Sequence, residues 1–413
     1  MELNAKEKQL LQDFVRKGYD ERYSCKLIGD GFDLFSDEKC KWYERYFELT
    51  GTDLPEQEVD AYFDVFDYCT QLCSNHFGAI ENALDIYEIL KSKNKLNEHI
   101  VDSVISFHIR RSGLLCDAGM VTYVRNEIQK AVFIASEIYG KEHKKTIKSL
   151  AYLAKMLDKC GCTADAIGFM RDCYDKSMDM TYLENCFDMS EKLPDFYYDL
   201  SIDLLSELLS LCEKNGDRSR FFYFVSRRSV YNYKHKRIEE SIDDAKNVKE
   251  YFYNEHIDDE KLPSLLNVSR VYYWSDMHEE AEPILRFLFE ETYSKMKNEE
   301  DGEVYFDDDS DFFEICSMLF DSMGRNGNIK ESLDECSKIY EMCKSSLGPY
   351  DEKTVIMACN HARNIYRSGK INYAAKILTN LYEKRKIFSE VVRTRILEEM
   401  SRICALQNRI FDT

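Results

Sequence analysis

The sequence has 413 residues, of which 44% are hydrophobic and 32% are charged, and its net charge is −20 at pH 7. This composition is typical of a globular protein, and the lack of an 18-residue apolar run argues against a membrane-spanning helix. The negative charge argues against general binding to nucleic acids or to anionic membrane surfaces. The first residues lack the pattern of a secretion signal, and the fifteen cysteines include no CxxC pair, so we expect reduced thiols in a cytoplasmic protein.

Residues 1–54 are the least regular part of the chain. Short amphipathic stretches at Ala5 to Arg16, Asp20 to Leu27 and Asp37 to Leu49 are separated by glycines. A DNA-binding helix-turn-helix would need a basic recognition helix, whereas these stretches carry many acids. We therefore predict that residues 1–54 form an N-terminal helical cap.

Residues 55–413 read as a series of helical hairpins. Apolar residues recur at three- and four-residue spacing, and the breaks between them contain glycine or aspartate. The expected turns lie at Gly78, Gly119, Gly161, Gly216, Asp276, Gly327 and Gly369. The sequence thus predicts about seven hairpins, followed by a lone or truncated helix from Val391 to Leu406.

Two of these hairpins share the same internal spacing. They are Gly140 to Asp175 and Leu347 to Arg385. Each contains a first glycine, a threonine, two alanines and a turn glycine. The coincident spacings are six residues (Gly140 to Thr146, Gly348 to Thr354), eight (Thr146 to Ala154, Thr354 to Ala362), twenty-one (Gly140 to Gly161, Gly348 to Gly369) and five (Gly161 to Ala166, Gly369 to Ala374).

The two units resemble the long-loop tetratricopeptide repeat of kinesin light chains, which follows the pattern G…H…T…NLA…G…A. The resemblance implies an all-α fold, a right-handed α-solenoid of tetratricopeptide-like hairpins. The first helix of each hairpin would line a concave groove that binds peptides or protein segments. The small residues Ala154, Ala166, Ala362 and Ala374 should lie where paired helices approach closest.

The resemblance also implies which residues line the groove. Asn267 and Asn360 match the second asparagine of the family's NNLA motif, which resembles a position that clamps peptide backbone. An amide can donate and accept hydrogen bonds together, and arginines three residues later could hold carboxylates. The alternative is that these are polar residues on solvated helix faces. The predicted groove residues are Asn267, Arg270, Asn360, Arg363, Asn364, Arg367 and Lys155.

Residues 218–237 form a basic window in an otherwise acidic chain. The window holds seven lysines and arginines and no acid. One interpretation is an anion site for phosphate, an acidic peptide or a short single strand. The favoured interpretation is internal pairing with the acidic segments 239–250 or 299–311. The candidate anion-binding residues are Arg220, Arg227, Arg228, Tyr231 and Lys234.

We find no constellation that indicates catalysis, a cofactor or a bound metal. The sequence has no HExxH motif, phosphate loop or GxSxG elbow, and the acidic loop at 299–314 lacks EF-hand spacing. Cys160 and Cys162 flank a turn glycine, where turn packing is the expected role. The sequence therefore predicts an adaptor or scaffold with a protein or peptide partner. The alternatives are a regulatory domain that senses a peptide, small molecule or nucleotide and switches a partner or C-terminal effector, and, last, an enzyme.

Overall fold

The computed structural model describes residues 5–17, 77–253, 261–297 and 310–411, with single positions at 25, 28, 42, 45, 46, 49, 59, 63, 66 and 306. These residues form 17 α-helices, and the described ranges contain no β-strand. The helices are α1 Ala5–Arg16, α2 Phe77–Ser92, α3 Glu98–Asp117, α4 Val121–Tyr139, α5 Lys144–Lys159, α6 Thr163–Ser177, α7 Met180–Ser190, α8 Tyr198–Asn215, α9 Arg218–Lys234, α10 Ile238–Tyr253, α11 Leu262–Trp274, α12 His278–Met296, α13 Ser310–Arg325, α14 Ile329–Ser346, α15 Glu352–Arg367, α16 Ile371–Glu383 and α17 Glu390–Phe411.

Helix α1 has the bounds that the sequence predicts. Most of the remaining cap, 1–54, and the first helix of the first expected hairpin lie outside the described residues, so the cap stays a prediction. No helix in the described part of the chain is long and apolar enough to cross a membrane.

The chain divides into two compact units, residues 1–204 and 205–413. In the first unit, α3 pairs with α4 and α5 with α6, and the first helices α3 and α5 also contact each other. In the second unit the pairs are α9 with α10, α11 with α12, α13 with α14 and α15 with α16, and α17 packs on α15 and α16. Each first helix also contacts the first helix of the next hairpin, in the order α9, α11, α13, α15 and α17. The fold class is therefore the expected all-α solenoid of helical hairpins.

The hairpin turns share one backbone geometry. Gly161 and Gly369 have φ of 81° and 87°, a left-handed conformation that glycine adopts without steric cost. The next amide, of Cys162 or Lys370, donates to a carbonyl five residues earlier, at 2.8 Å and 3.1 Å. This is the bond pattern of a Schellman C-cap, which ends the first helix and reverses the chain. The two glycines occupy equivalent turns, as their spacing predicts.

The turn expected at Gly78 is wrong, and the chain has one turn that the sequence did not predict. Gly78 lies within the first turn of α2. Gly216 separates α8 from α9, and the turn of the following hairpin lies at Lys236, with φ of 64°. The sequence does not reveal this turn, because the left-handed backbone conformation is less favourable for lysine than for glycine and lysine is uncommon there.

The four alanines expected at close helix contacts are buried, although their place at the closest approach stays a prediction. Ala154, Ala166, Ala362 and Ala374 are all fully buried. In α15 the apolar stripe that includes Val355 and Ala362 packs against α16 and α17 in one continuous core. The periodicity of the sequence thus marks the buried face correctly.

Candidate functional site

Three successive first helices of the second unit are joined by a buried chain of charges. Asp321 on α13, Arg363 on α15 and Glu399 on α17 are 3%, 4% and 0% exposed. The Arg363 guanidinium donates through Nη1 to Asp321 Oδ1 at 2.9 Å and through Nε to Glu399 Oε1 at 3.0 Å. We call these three residues the charge ladder. It links α13, α15 and α17 through their side chains.

Asp321 is the carboxylate of the ladder that accepts the most side-chain hydrogen bonds. Beyond Arg363, it accepts from Arg367 Nη2 at 2.9 Å, Tyr273 Oη at 3.0 Å and Arg325 Nε at 3.1 Å. Burial alone would raise the pKa of Asp321, but the arginines outweigh burial and hold this pKa far below its usual range. Burial would lower the pKa of Arg363, yet Glu399 and Asp321 raise it. Asp321 and Arg363 are therefore charged at neutral pH.

A second row of polar side chains runs beside the ladder. Asn360 is 1% exposed; its Nδ2 donates to Ser317 Oγ at 2.9 Å, and its Oδ1 accepts from Arg395 Nη2 at 2.7 Å. Burial and the nearby Arg363 charge lower the pKa of Arg395. Arg395 has no carboxylate within ion-pair distance among the described residues. One half-buried positive charge on α17 therefore lacks an acidic partner there.

The equivalent residues of an earlier repeat are also bonded within the chain. Arg270 makes a two-pronged ion pair with Glu314, at 2.9 Å and 2.7 Å, and donates to Asn267 Oδ1 at 3.0 Å. Asn267 donates to Ser226 Oγ at 3.2 Å. The side chains of Asn267 and Arg270 thus connect α9, α11 and α13.

A glycine leaves room for two of the predicted groove residues, Asn364 and Arg367. A Cβ at Gly324 on α13 would lie 2.6 Å from Arg367 Nη1 and 3.2 Å from Asn364 Oδ1. Asn364 is 1% exposed, and its Oδ1 accepts no hydrogen bond in the described part of the chain. Gly324 is a residue that the sequence gives no reason to single out, since it does not lie at a turn.

These positions correct one sequence-based expectation. The sequence placed Asn360, Arg363 and Asn364 on an open groove, whereas the structure buries all three. The reason is that acids on neighbouring first helices, Asp321 and Glu399, satisfy the arginine inside the chain. Direct contact between these three residues and a partner stays a prediction. Lys155 is exposed on α5 in the first unit.

An open cleft lies over α13, α15 and α17. Its volume is about 630 Å³. Phe313, Ile356 and Val392 supply apolar surface, and Arg395 lies among them. The other lining residues are Glu314, Ser317, Glu390, Val391, Thr394 and Glu398. We call this the first-helix cleft. Arg395 is a lining residue that the sequence reasoning missed, although it follows Asn360 by about one repeat.

A second cleft of about 720 Å³ lies among α2, α3 and α4 in the first unit. His108 Nδ1 and Glu127 Oε2 meet at its base, 2.8 Å apart, and both side chains are buried. Burial, the largest effect, raises the pKa of Glu127, but hydrogen bonds from His108 and Lys130 together outweigh it and lower this pKa to about 2. No group of three or more His, Cys, Asp or Glu side chains suited to a metal ion occurs among the described residues.

The basic window forms α9 and the turn after it. Arg228 makes a two-pronged ion pair with Asp244 of α10, at 2.8 Å and 2.7 Å, as the favoured internal-pairing interpretation expects. Arg227 lies over the Tyr223 ring, 6.0 Å from its centroid. Tyr231 is 4% exposed, and this burial corrects its place among the candidate anion-binding residues. Arg220 is half-buried and Lys234 is exposed, so the structure does not gather the five candidates on one open surface.

No protein-family model and no curated protein matches this chain. Solved structures that it resembles include a tetratricopeptide repeat protein from Parabacteroides merdae, at 13% identity over 72% of this chain and 99% of that one, with a TM-score of 0.41. The Podosopora anserina putative kinesin light chain repeats match at 11% identity over 70% and 100% of the two chains, with a TM-score of 0.27. A Rap protein complexed with Competence and Sporulation Factor matches at 12% identity over 75% and 72%, with a TM-score of 0.37. The first two carry tetratricopeptide or similar repeats, the family that the sequence units resemble.

Proposed function

We propose that this chain binds a segment of a partner protein, and that the segment occupies the first-helix cleft. The observation that carries the proposal is an open cleft lined by both apolar and polar side chains, built on three helices of one unit. Its volume of about 630 Å³ is large enough for several side chains. Protein interfaces likewise combine apolar contact area with polar groups.

The edge of the cleft presents apolar surface to solvent. Val391 is 76% exposed and lies next to buried Val392 on α17. Exposed aliphatic surface of this kind gains free energy when a partner's apolar side chain covers it, at about 25 cal/mol per Å². Glu390 and Glu398 lie on the same helix at the cleft edge. They would give a bound segment polar contacts and orientation.

Two polar residues that line the cleft, Ser317 and Arg395, are held in place before any partner binds. Asn360 is fixed from both sides by Ser317 and Arg395, and the charge ladder lies beside it. A surface that is already ordered loses little conformational entropy on binding, which favours affinity. The buried polar residues that the sequence assigned to partner contact would, in this proposal, support the binding surface. An array that binds a partner in this way would act as an adaptor or scaffold.

A substitution at the exposed edge tests the proposal without disturbing the core. Peptides would be selected on the folded chain from a random display library, synthesised, and titrated against the wild-type protein and variants. We expect Val391→Asp to weaken binding at least tenfold, or about 1.4 kcal/mol, because the substitution places a charge where apolar surface must be covered.

Leu397→Asp is the matched control. Leu397 lies on the same helix, is 46% exposed and does not line the cleft. We expect this variant to bind within about twofold of the wild type, and both variants to unfold at the wild-type temperature. Equal binding by wild type and Val391→Asp, or equal weakening by both variants, would show that the segment binds elsewhere.

A further inference from the structure

Two cysteine sulfurs face each other between successive first helices of the first unit. Cys116 lies in the last turn of α3, and Cys160 is the C-cap residue of α5. Their Sγ atoms are 3.2 Å apart, although the residues are 44 positions apart in sequence. A disulfide bond needs a sulfur–sulfur distance of about 2.05 Å, so the two atoms need to approach by only about 1.2 Å.

The surroundings hold the two thiols together and leave them within reach of solvent. Lys159 Nζ and Asp117 Oδ1, the residues next to the cysteines, form an ion pair at 2.7 Å. Cys116 and Cys160 are both half-buried, unlike Cys173, which is buried. A third half-buried thiol, Cys162, lies just beyond the turn glycine. An oxidant of small size can therefore reach the pair.

We propose that Cys116 and Cys160 form a modification site at which a low-molecular-weight disulfide, such as oxidised glutathione, reversibly oxidises the two thiols to one disulfide bond. One cysteine thiolate attacks the reagent disulfide, which forms a mixed disulfide and releases one reagent thiol. The second cysteine thiolate then attacks the protein sulfur of the mixed disulfide and releases the other reagent thiol. Two protein thiols and one reagent disulfide thus become one protein disulfide and two reagent thiols.

The consequence of this bond is a covalent link between α3 and α5, the first helices of two neighbouring hairpins. The link restricts the unfolded chain and prevents the two helix ends from separating. Burial, followed by the neighbouring Cys116 thiol, raises the pKa of Cys160 to about 11, so this sulfur is a thiol at neutral pH. The uncatalysed exchange should then take minutes to hours.

Peptide mapping tests which sulfurs react. The folded protein would be incubated with oxidised glutathione, its free thiols blocked, and the protein digested with trypsin under non-reducing conditions. We expect a species that joins peptide 112–125 to peptide 160–171 and disappears when dithiothreitol is added before digestion. We also expect the oxidised protein to unfold at a temperature roughly 5–10 °C higher than the reduced protein.

Single substitutions distinguish the two cysteines of the second peptide. Cys160→Ser and Cys160→Ala should each remove the linked species, and Cys162→Ser should retain it, provided that circular dichroism shows all three folded. Protein oxidised in urea is the control for pairing that does not depend on the fold. A linked species that survives Cys160→Ser but not Cys162→Ser, or no linked species in the folded protein, would overturn the proposal.

Discussion

Arg363 determines whether the charges in the centre of the second unit are balanced. Its guanidinium is the group that bridges Asp321 and Glu399, both of which are buried. An Arg363→Met variant keeps much of the side-chain volume but leaves Glu399 with only Arg402 as an ion-pair partner in the described part. Breaking a buried ion pair from one side costs about 3–5 kcal/mol, because the remaining charge stays buried. We expect a loss of this size in the free energy of unfolding, measured with urea.

Arg402 provides the control for this experiment. It donates to the same Glu399 oxygen as Arg363, but 48% of its side chain is exposed. Water solvates this half-exposed guanidinium, and Glu399 keeps its bonds to Arg363 in this variant, so Arg402→Met should change the free energy of unfolding by only about 0–1 kcal/mol. If the two variants lose the same small amount, the ladder does not carry the stability that its burial indicates.

At the scale of the helical element, the turn glycines limit where each first helix ends. Gly161 and Gly369 have positive φ, and a Cβ at either position would meet no atom within 4 Å. The cost of replacing them therefore comes from the backbone conformation and not from a clash. A left-handed residue with a Cβ costs roughly 1–2 kcal/mol. We expect Gly161→Ala and Gly369→Ala each to lower the free energy of unfolding by that amount.

Gly168 tests whether the conformation is the cause. It is an exposed glycine inside α6, where a Cβ would also meet no atom within 4 Å, and it does not have a positive φ. Gly168→Ala should stabilise the protein by roughly 0.5–1 kcal/mol, since alanine favours the helix. Chemical denaturation of the three variants should give opposite signs for the turn and helix positions. A loss of stability at Gly168 would contradict the conformational explanation.

At the scale of the whole molecule, local features of the sequence predict more than distant ones do. Periodicity and glycine spacing predict most helices and the equivalence of Gly161 and Gly369, because a helix and its cap depend on neighbouring residues. The turn at Lys236 escapes this reasoning because its left-handed residue has a side chain. The repeat register locates Arg363 on a first helix, but Asp321 and Glu399 belong to other repeats and match no motif. Burial of a polar residue depends on such distant partners, so sequence alone could not distinguish an open groove from a filled one.

The pH dependence of stability tests the buried acids in both units together. Glu127 in the first unit and Asp321 in the second have pKa values below their ordinary ones. A depressed pKa in the folded state contributes stability that is present above the unfolded pKa and lost as pH falls through the folded pKa. For Glu127 the loss should fall between pH 4.5 and about 2. It should amount to as much as about 3 kcal/mol. For Asp321 it should begin near pH 3.8 and continue below that range.

Thermal unfolding followed by circular dichroism between pH 7 and 2.5 measures this dependence. The wild type should lose stability steeply below pH 4.5, whereas Glu127→Gln should be less stable at pH 7 and show a shallower decline. Glu88→Gln replaces an exposed acid of the same cleft and should retain the wild-type profile. Asp321→Asn should act in the same direction as Glu127→Gln, since its carboxylate accepts four charged or polar donors. Profiles that decline in parallel for all four proteins would mean that acid unfolding is governed by the many surface carboxylates of this acidic chain and not by the two buried ones.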